Sequence, residues 1–127
     1  MATTLEIGKK LVELCKQGKN DEAMNTLYSP NIVAIEAGAP AGQSPRVDGI
    51  AAVKGKADWW FKNHEIHGAK VEGPWPHGDR FIVRFTYDIT PKTGPMTGKR
   101  FTMEEAALFT VKDGKITQEE FFYSMGG

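Results

Sequence analysis

Between Phe101 and Met125 the chain interleaves acids with aromatic residues: Glu104 and Glu105, then Glu119, Phe121 and Tyr123. A carboxylate held in an apolar cavity resists ionisation, so it can exchange a proton with carbon near neutral pH. A phenol beside it can polarise a carbonyl oxygen. Glu36, near the end of the short run NIVAIEA and just before a loop, is the first candidate general base. Its bland alternative is a solvated loop-end carboxylate. His64 shares an apolar helical stripe with Trp60 and is a candidate proton donor or acceptor. Trp60, Phe85 and Tyr87 are the expected apolar lining, although such a stripe is also what a plain core looks like.

The elements that must position these groups start with a hairpin. FTMEEAALFTV and ITQEEFFYSM flank Lys112-Asp113-Gly114-Lys115, and Asp-Gly is a strong signal for a type I′ turn. Counting back from a two-residue turn pairs Val111 with Ile116, Phe109 with Gln118, Leu108 with Glu119 and Glu104 with Tyr123. Glu104 and Tyr123 are then an acid–phenol pair, while Glu105 and Glu120 lie diagonally on the other face. Neither face is purely apolar, which suggests a sheet covered on both sides. A single bulge would exchange the two faces. The alternative assignment pairs these acids with Lys or Arg or places them in a subunit contact.

Upstream, residues 3–17 show helical spacing of Leu5, Gly8, Leu11, Val12 and Cys15, with Gly18 as a stop signal. Asn20 is a natural cap for a second helix, which Ser29-Pro30 ends. Asn31 to Ala37 reads as a short strand. Gly38 to Arg46 (GAPAGQSPR) is a loop long enough to serve as a lid. Asp48 can cap a third helix running to about His64, with Ile50, Val53, Ala57, Trp60, Phe61 and His64 on one stripe. Trp59 must then point to a flank. An extended segment reaches Pro74-Trp75-Pro76. Arg80 to Thr90 alternates cleanly, with Phe81, Val83, Phe85, Tyr87 and Ile89 on one face. Helices gather early and antiparallel strands late, the pattern of an α+β domain.

A length of 127 residues fits one domain spanning 1–127. Sixteen basic residues balance sixteen acidic ones, so no field favours nucleic acid or an anionic membrane surface. A single cysteine excludes an internal disulfide, and Cys15 reads as a buried small hydrophobe. No run is apolar enough to span a bilayer, and no signal core opens the chain; a soluble cytoplasmic protein is expected. His64 and His67 straddle a helix end without a third ligand, so no metal site is expected. No phosphate-binding glycine loop, convincing Ser-His-Asp order or CxxC supports ATP, nicotinamide or flavin, so no cofactor is expected.

Phe109-Thr110-Val111-Lys112-Asp113-Gly114-Lys115-Ile116, then Glu119-Glu120-Phe121-Phe122-Tyr123, and Gly49-Ile50-Ala51-Ala52-Val53 at the start of the third helix, carry a resemblance. Over essentially its whole length the chain resembles the nuclear transport factor 2-like superfamily, and within it the SnoaL-like branch. The resemblance implies a cone-shaped α+β fold: a curved antiparallel sheet, with three helices from the N-terminal half packed on its concave face around an apolar pocket. It implies a homodimer formed through the outer sheet face. It also turns the Glu119, Phe121, Tyr123 face towards the pocket.

The superfamily includes ketosteroid isomerases, polyketide cyclases, limonene epoxide hydrolases and scytalone dehydratases. By position, the isomerase's tyrosine falls near Leu11, its base close to Glu36, and its protonated acid near Ala107, two residues from Glu105. The epoxide hydrolase's Asp-Arg-Asp set falls around Tyr87, Phe85 and Phe121 and is not reproduced. The expected function is binding of a small hydrophobic or carbonyl-bearing molecule, with acid–base turnover as its enzymatic version. A non-catalytic dimeric interaction or ligand-binding module is the alternative from another class.

Overall fold

The computed structural model describes residues 1–39 and 41–124. Pro40 of the expected lid loop and Met125 at the end of the expected hairpin lie outside them. The described residues form helix α1 (Thr4–Lys16), helix α2 (Asn20–Leu27), strand β1 (Tyr28–Ile35), strand β2 (Arg46–Asp48), helix α3 (Ile50–Lys62), and strands β3 (His64–His77), β4 (Arg80–Pro91), β5 (Phe101–Lys112) and β6 (Lys115–Phe122). One open sheet runs in the order β2-β1-β6-β5-β4-β3. It is mixed rather than antiparallel throughout, because β1 lies parallel to β6. The α+β cone expected for the sequence is the architecture observed. No helix is long and apolar enough to cross a membrane among the described residues.

Local chemistry accounts for the helix boundaries. Thr3 caps α1: its Oγ1 accepts from the Glu6 backbone N–H at 3.1 Å, and the Glu6 carboxylate accepts from the Thr3 N–H at 3.0 Å. Ile7, Gly8, Leu11, Val12 and Leu14 are its buried residues, whereas Leu5, expected on that stripe, is 40% exposed. Gly8 lets the helix approach the sheet: a Cβ there would fall 2.9 Å from Pro74 Cβ and 3.3 Å from the Phe81 ring. Asn20 does not cap α2. Lys19 holds that position, and the Asn20 amide donates to Cys15 Sγ at 3.6 Å.

Asp48 does not cap α3 either. Its carboxylate is bound by Arg46 Nε at 2.9 Å, two residues back on the missed strand β2, and Gly49 (φ 90°) turns the chain into the helix instead. The helix ends at Lys62, so His64 starts β3. Of the expected α3 stripe, Val53 alone is fully buried. The helix roofs a hollow, not a filled core.

β4 alternates as its sequence requires, with Phe81, Val83, Phe85, Tyr87 and Ile89 inward. Phe81 and Phe109 stack with ring centroids 5.0 Å apart and join β4 to β5. Burying each such side chain contributes about 1.5–3 kcal/mol, so this pair anchors the end of the sheet that packs under Gly8.

The hairpin register departs from the simple count. Lys112 faces Lys115 and Val111 faces Ile116 as expected, but Thr110 then faces Gln118, Phe109 faces Glu119 and Ala107 faces Phe121. Thr117 is the extra residue of a bulge. It shifts every later residue of β6 by one position against β5.

Candidate active site

Between the three helices and the inner face of β4, β5 and β6 lies a cavity of about 680 Å³. Leu11, Met24, Trp60, Phe85, Tyr87 and Phe109 give it an apolar lining. Trp60 packs against Tyr87 at 5.1 Å, and Tyr87 stacks parallel to Phe85 at 6.0 Å. These aromatics come from α3 and β4, two elements that only the tertiary fold brings together. Gly38, Ala39, Gln43, Ser44 and Pro45 of the expected lid loop also border the space.

Three carboxylates reach this apolar wall. Glu119 on β6 is 5% exposed and is the one fully buried charged residue among the described residues. The Tyr28 hydroxyl, at the start of β1, donates to its Oε2. Burial raises the Glu119 carboxyl from an ordinary 4.5 to about 7, although the Tyr28 hydrogen bond and nearby Lys56 oppose the rise. The same burial, reinforced by the Glu119 charge, pushes the Tyr28 phenol well up.

Glu105 on β5 is half-buried in the same wall. Burial first, then the charges of Glu36 and Glu119, raise it to about 7 as well. Among the described residues it has neither a hydrogen-bond nor an ion-pair partner. Glu36, just beyond β1, is bound on both sides: Lys56 of α3 pairs with Oε1, and the Tyr123 hydroxyl donates to Oε2 at 2.9 Å. Burial and the Glu36 charge push the Tyr123 phenol up. Cys15 also lines the cavity, and burial raises its thiol to about 12, so it is an inert wall group.

The expected residues therefore divide. Glu36, Trp60, Phe85, Tyr87, Glu105, Glu119, Phe121 and Tyr123 all border the cavity. Glu104 does not. It points to the outer face, where Arg84 binds it at 2.7 Å. The expected Glu104–Tyr123 pair does not form, because the Thr117 bulge places the phenol on the inner face beside Glu36. For the same reason Glu119, not Glu120, shares the inner face with Glu105; Glu120 lies opposite the outward residue Leu108.

His64 is likewise outside the lining. Its Nδ1 lies 2.7 Å from the Trp60 carbonyl and its ring stacks on Trp60 at 4.5 Å, since the helix ends before it. Two residues were missed. Lys56 falls three positions after Val53 on the inward side of α3, a spacing that the sequence displays. Tyr28 starts β1, and nothing local links it to Glu119, 91 positions away.

The arrangement can bind an apolar body and offer it two acids that change protonation near pH 7. The sequence of residues 2–123 matches the family model for the SnoaL-like domain. The chain belongs to the SnoaL-like family. This SnoaL-like domain is similar to a protein from Mesorhizobium loti that is provisionally assigned as a SnoaL-like polyketide cyclase or carbohydrate phosphatase. The identity is 45%, over 96% of this chain and 100% of that one, with a TM-score of 0.87. The SnoaL-like domain also shares its fold with a provisionally assigned polyketide cyclase from Pseudomonas putida (17% identity, 98% of this chain and 94% of that one, TM-score 0.71). A provisionally assigned isomerase from Bacillus subtilis has the same fold (17%, 97% and 90%, TM-score 0.74). Among curated proteins, none matches this chain.

Proposed function

We infer that this SnoaL-like domain binds a small, mostly apolar molecule bearing a carbonyl group and moves a proton on it without a cofactor. One observation carries the reading: Glu105 is a half-buried carboxylate on the cavity wall, raised to about 7, with no partner among the described residues. A structural acid at such a position is normally paired. A group that titrates near the working pH is suited to general acid–base work. The volume of about 680 Å³ suits a small ligand.

The test is α-proton exchange. A panel of enolisable ketones is incubated with the protein in heavy water and followed by NMR. At least one ketone is expected to exchange in a protein-dependent way, and Glu105→Gln to slow that exchange by about 10²–10⁴-fold. Exchange at the wild-type rate in this variant would remove Glu105 from the role.

A second copy of the chain is the protein partner we infer. Trp75 (53%), Ile82 (41%) and Phe122 (50%) are exposed together on the outer face and border a shallow cleft with Arg84 and Glu104. An apolar sheet face of this kind is suited to pairing. The solution mass decides it: a monomer at all concentrations rejects the dimer.

A further inference from the structure

The polar end of the cavity holds Lys56, Glu36 and Tyr123, three groups to which no role has been given so far. Glu36 cannot be a free base, because each of its oxygens is already an acceptor, one from Lys56 and one from Tyr123. Lys56 is different. An ammonium has three N–H donors, and among the described residues only Glu36 accepts from it. Its Nζ stands 5.0 Å from the centroid of the Phe121 ring, whose face favours a cation there. Its side chain keeps 26% of its accessible surface, and it borders the cavity. A positive charge with spare donors is therefore held from two sides and faces an apolar space that contains Glu105.

We propose that Lys56 is the oxygen-binding residue of the cavity, taking the carbonyl oxygen of a neutral ligand and holding it as an oxyanion when the adjacent proton leaves. The proposal rests on the proton transfer assigned to Glu105. In that step a C–H bond of the ligand breaks and its proton goes to the Glu105 carboxylate. The C–H electron pair becomes a C=C bond, and the carbonyl π pair moves onto oxygen beside Lys56. One negative charge passes from Glu105 to that oxygen, so the net charge of the cavity does not change.

Glu36 and Tyr123 are positioning residues that aim Lys56. The same charges define the ligand class. A carboxylate or phosphate brought in by the ligand would meet Glu36, Glu105 and Glu119 with Lys56 as the only cation to offset them among the described lining residues. The site therefore selects a neutral ketone, aldehyde or ester on an apolar body.

Naphthalene and 2-naphthol separate the oxygen site from the cavity, because they share a ring body and only the second can become an oxyanion. Both are titrated against the full chain, following tryptophan fluorescence for binding and naphthol absorbance for ionisation. Naphthol is expected to bind about tenfold or more tightly than naphthalene, and its hydroxyl to ionise at lower pH when bound than when free. Lys56→Met is expected to lose both effects, with naphthalene binding reporting that the variant has folded. Tyr123→Phe changes no charge but deletes one of the two hydrogen bonds that hold Glu36, and is expected to reduce the naphthol preference with naphthalene binding unchanged, which a merely structural hydrogen bond would not do.

Equal binding of the two probes by the wild type overturns the Lys56 site while leaving the cavity reading intact. So does Lys56→Met with the naphthol preference retained, or Tyr123→Phe with that preference unchanged. If naphthalene itself does not bind, the cavity reading falls and takes the oxygen site with it.

Discussion

Glu119 stands directly opposite Phe109 across β5 and β6, where an unbroken count from the Asp-Gly turn places Gln118. One bulged residue, Thr117, makes the difference. It turns a carboxylate into an apolar wall and an amide out of it, and the ionisation behaviour of the site follows.

Stability should fall as the pH rises through the acids' range. The Glu119 carboxyl ionises near 4.5 when unfolded and near 7 when folded. Below pH 4.5 it is protonated in both states and contributes no difference. Between 4.5 and 7 the unfolded chain ionises first and gains, so stability drops with each pH step, and above 7 the loss is complete. A shift of this size corresponds to about 3 kcal/mol. Chemical denaturation at pH 5 and pH 8 should show the difference, and Glu119→Gln should remove about half of it, the rest belonging to Glu105, which is raised over the same range. A wild-type profile that is flat from 5 to 8 would remove the buried ionisable acid.

Tyr28→Phe deletes the donor that holds Glu119. The carboxyl loses an interaction that favours its charged form, so its pKa is expected to rise above about 7. Leaving the buried acceptor without this donor should cost about 1–3 kcal/mol. Carboxyl carbon NMR of Glu119 checks the first effect and denaturant titration the second.

For any ketone that exchanges its α-proton, the rate should climb through pH 7 and then level off. As the proposed base, Glu105 would act in its ionised form, and that form becomes dominant above about 7. Glu104→Gln serves as the outward control. Its carboxylate belongs to an exposed pair with Arg84, so exchange should be unchanged and stability altered by less than about 1 kcal/mol. A pH profile that moves with Glu104→Gln would mean that the wrong face has been assigned.

Gly8→Ala sets two effects against each other. Alanine improves helix propensity by about 1 kcal/mol. Its methyl would stand 2.9 Å from Pro74 Cβ, a rigid ring atom, and such overpacking costs about 1–3 kcal/mol. Net destabilisation of about 1 kcal/mol is expected by thermal or denaturant unfolding. A stabilised variant would show that α1 can move away from β3.

Local sequence alone was enough for the element order apart from β2, the α+β class, the inward face of β4 and the aromatic identity of the lining. These follow from period-2 and period-3.6 spacing and from Gly, Pro and Asp-Gly signals, all of which act within a few residues. Tertiary structure alone decided which acids face the cavity. Register beyond the hairpin turn depends on a bulge at Thr117 that no local residue type announces, and a one-residue slip moves Glu119 and Tyr123 inward.

The same holds for partners far apart in the chain. Glu36 meets Tyr123 across 87 positions and Tyr28 meets Glu119 across 91. Such contacts form only when β1 docks parallel to β6. The pKa values near 7 are likewise properties of burial, which the chain acquires only when the helices close over the sheet.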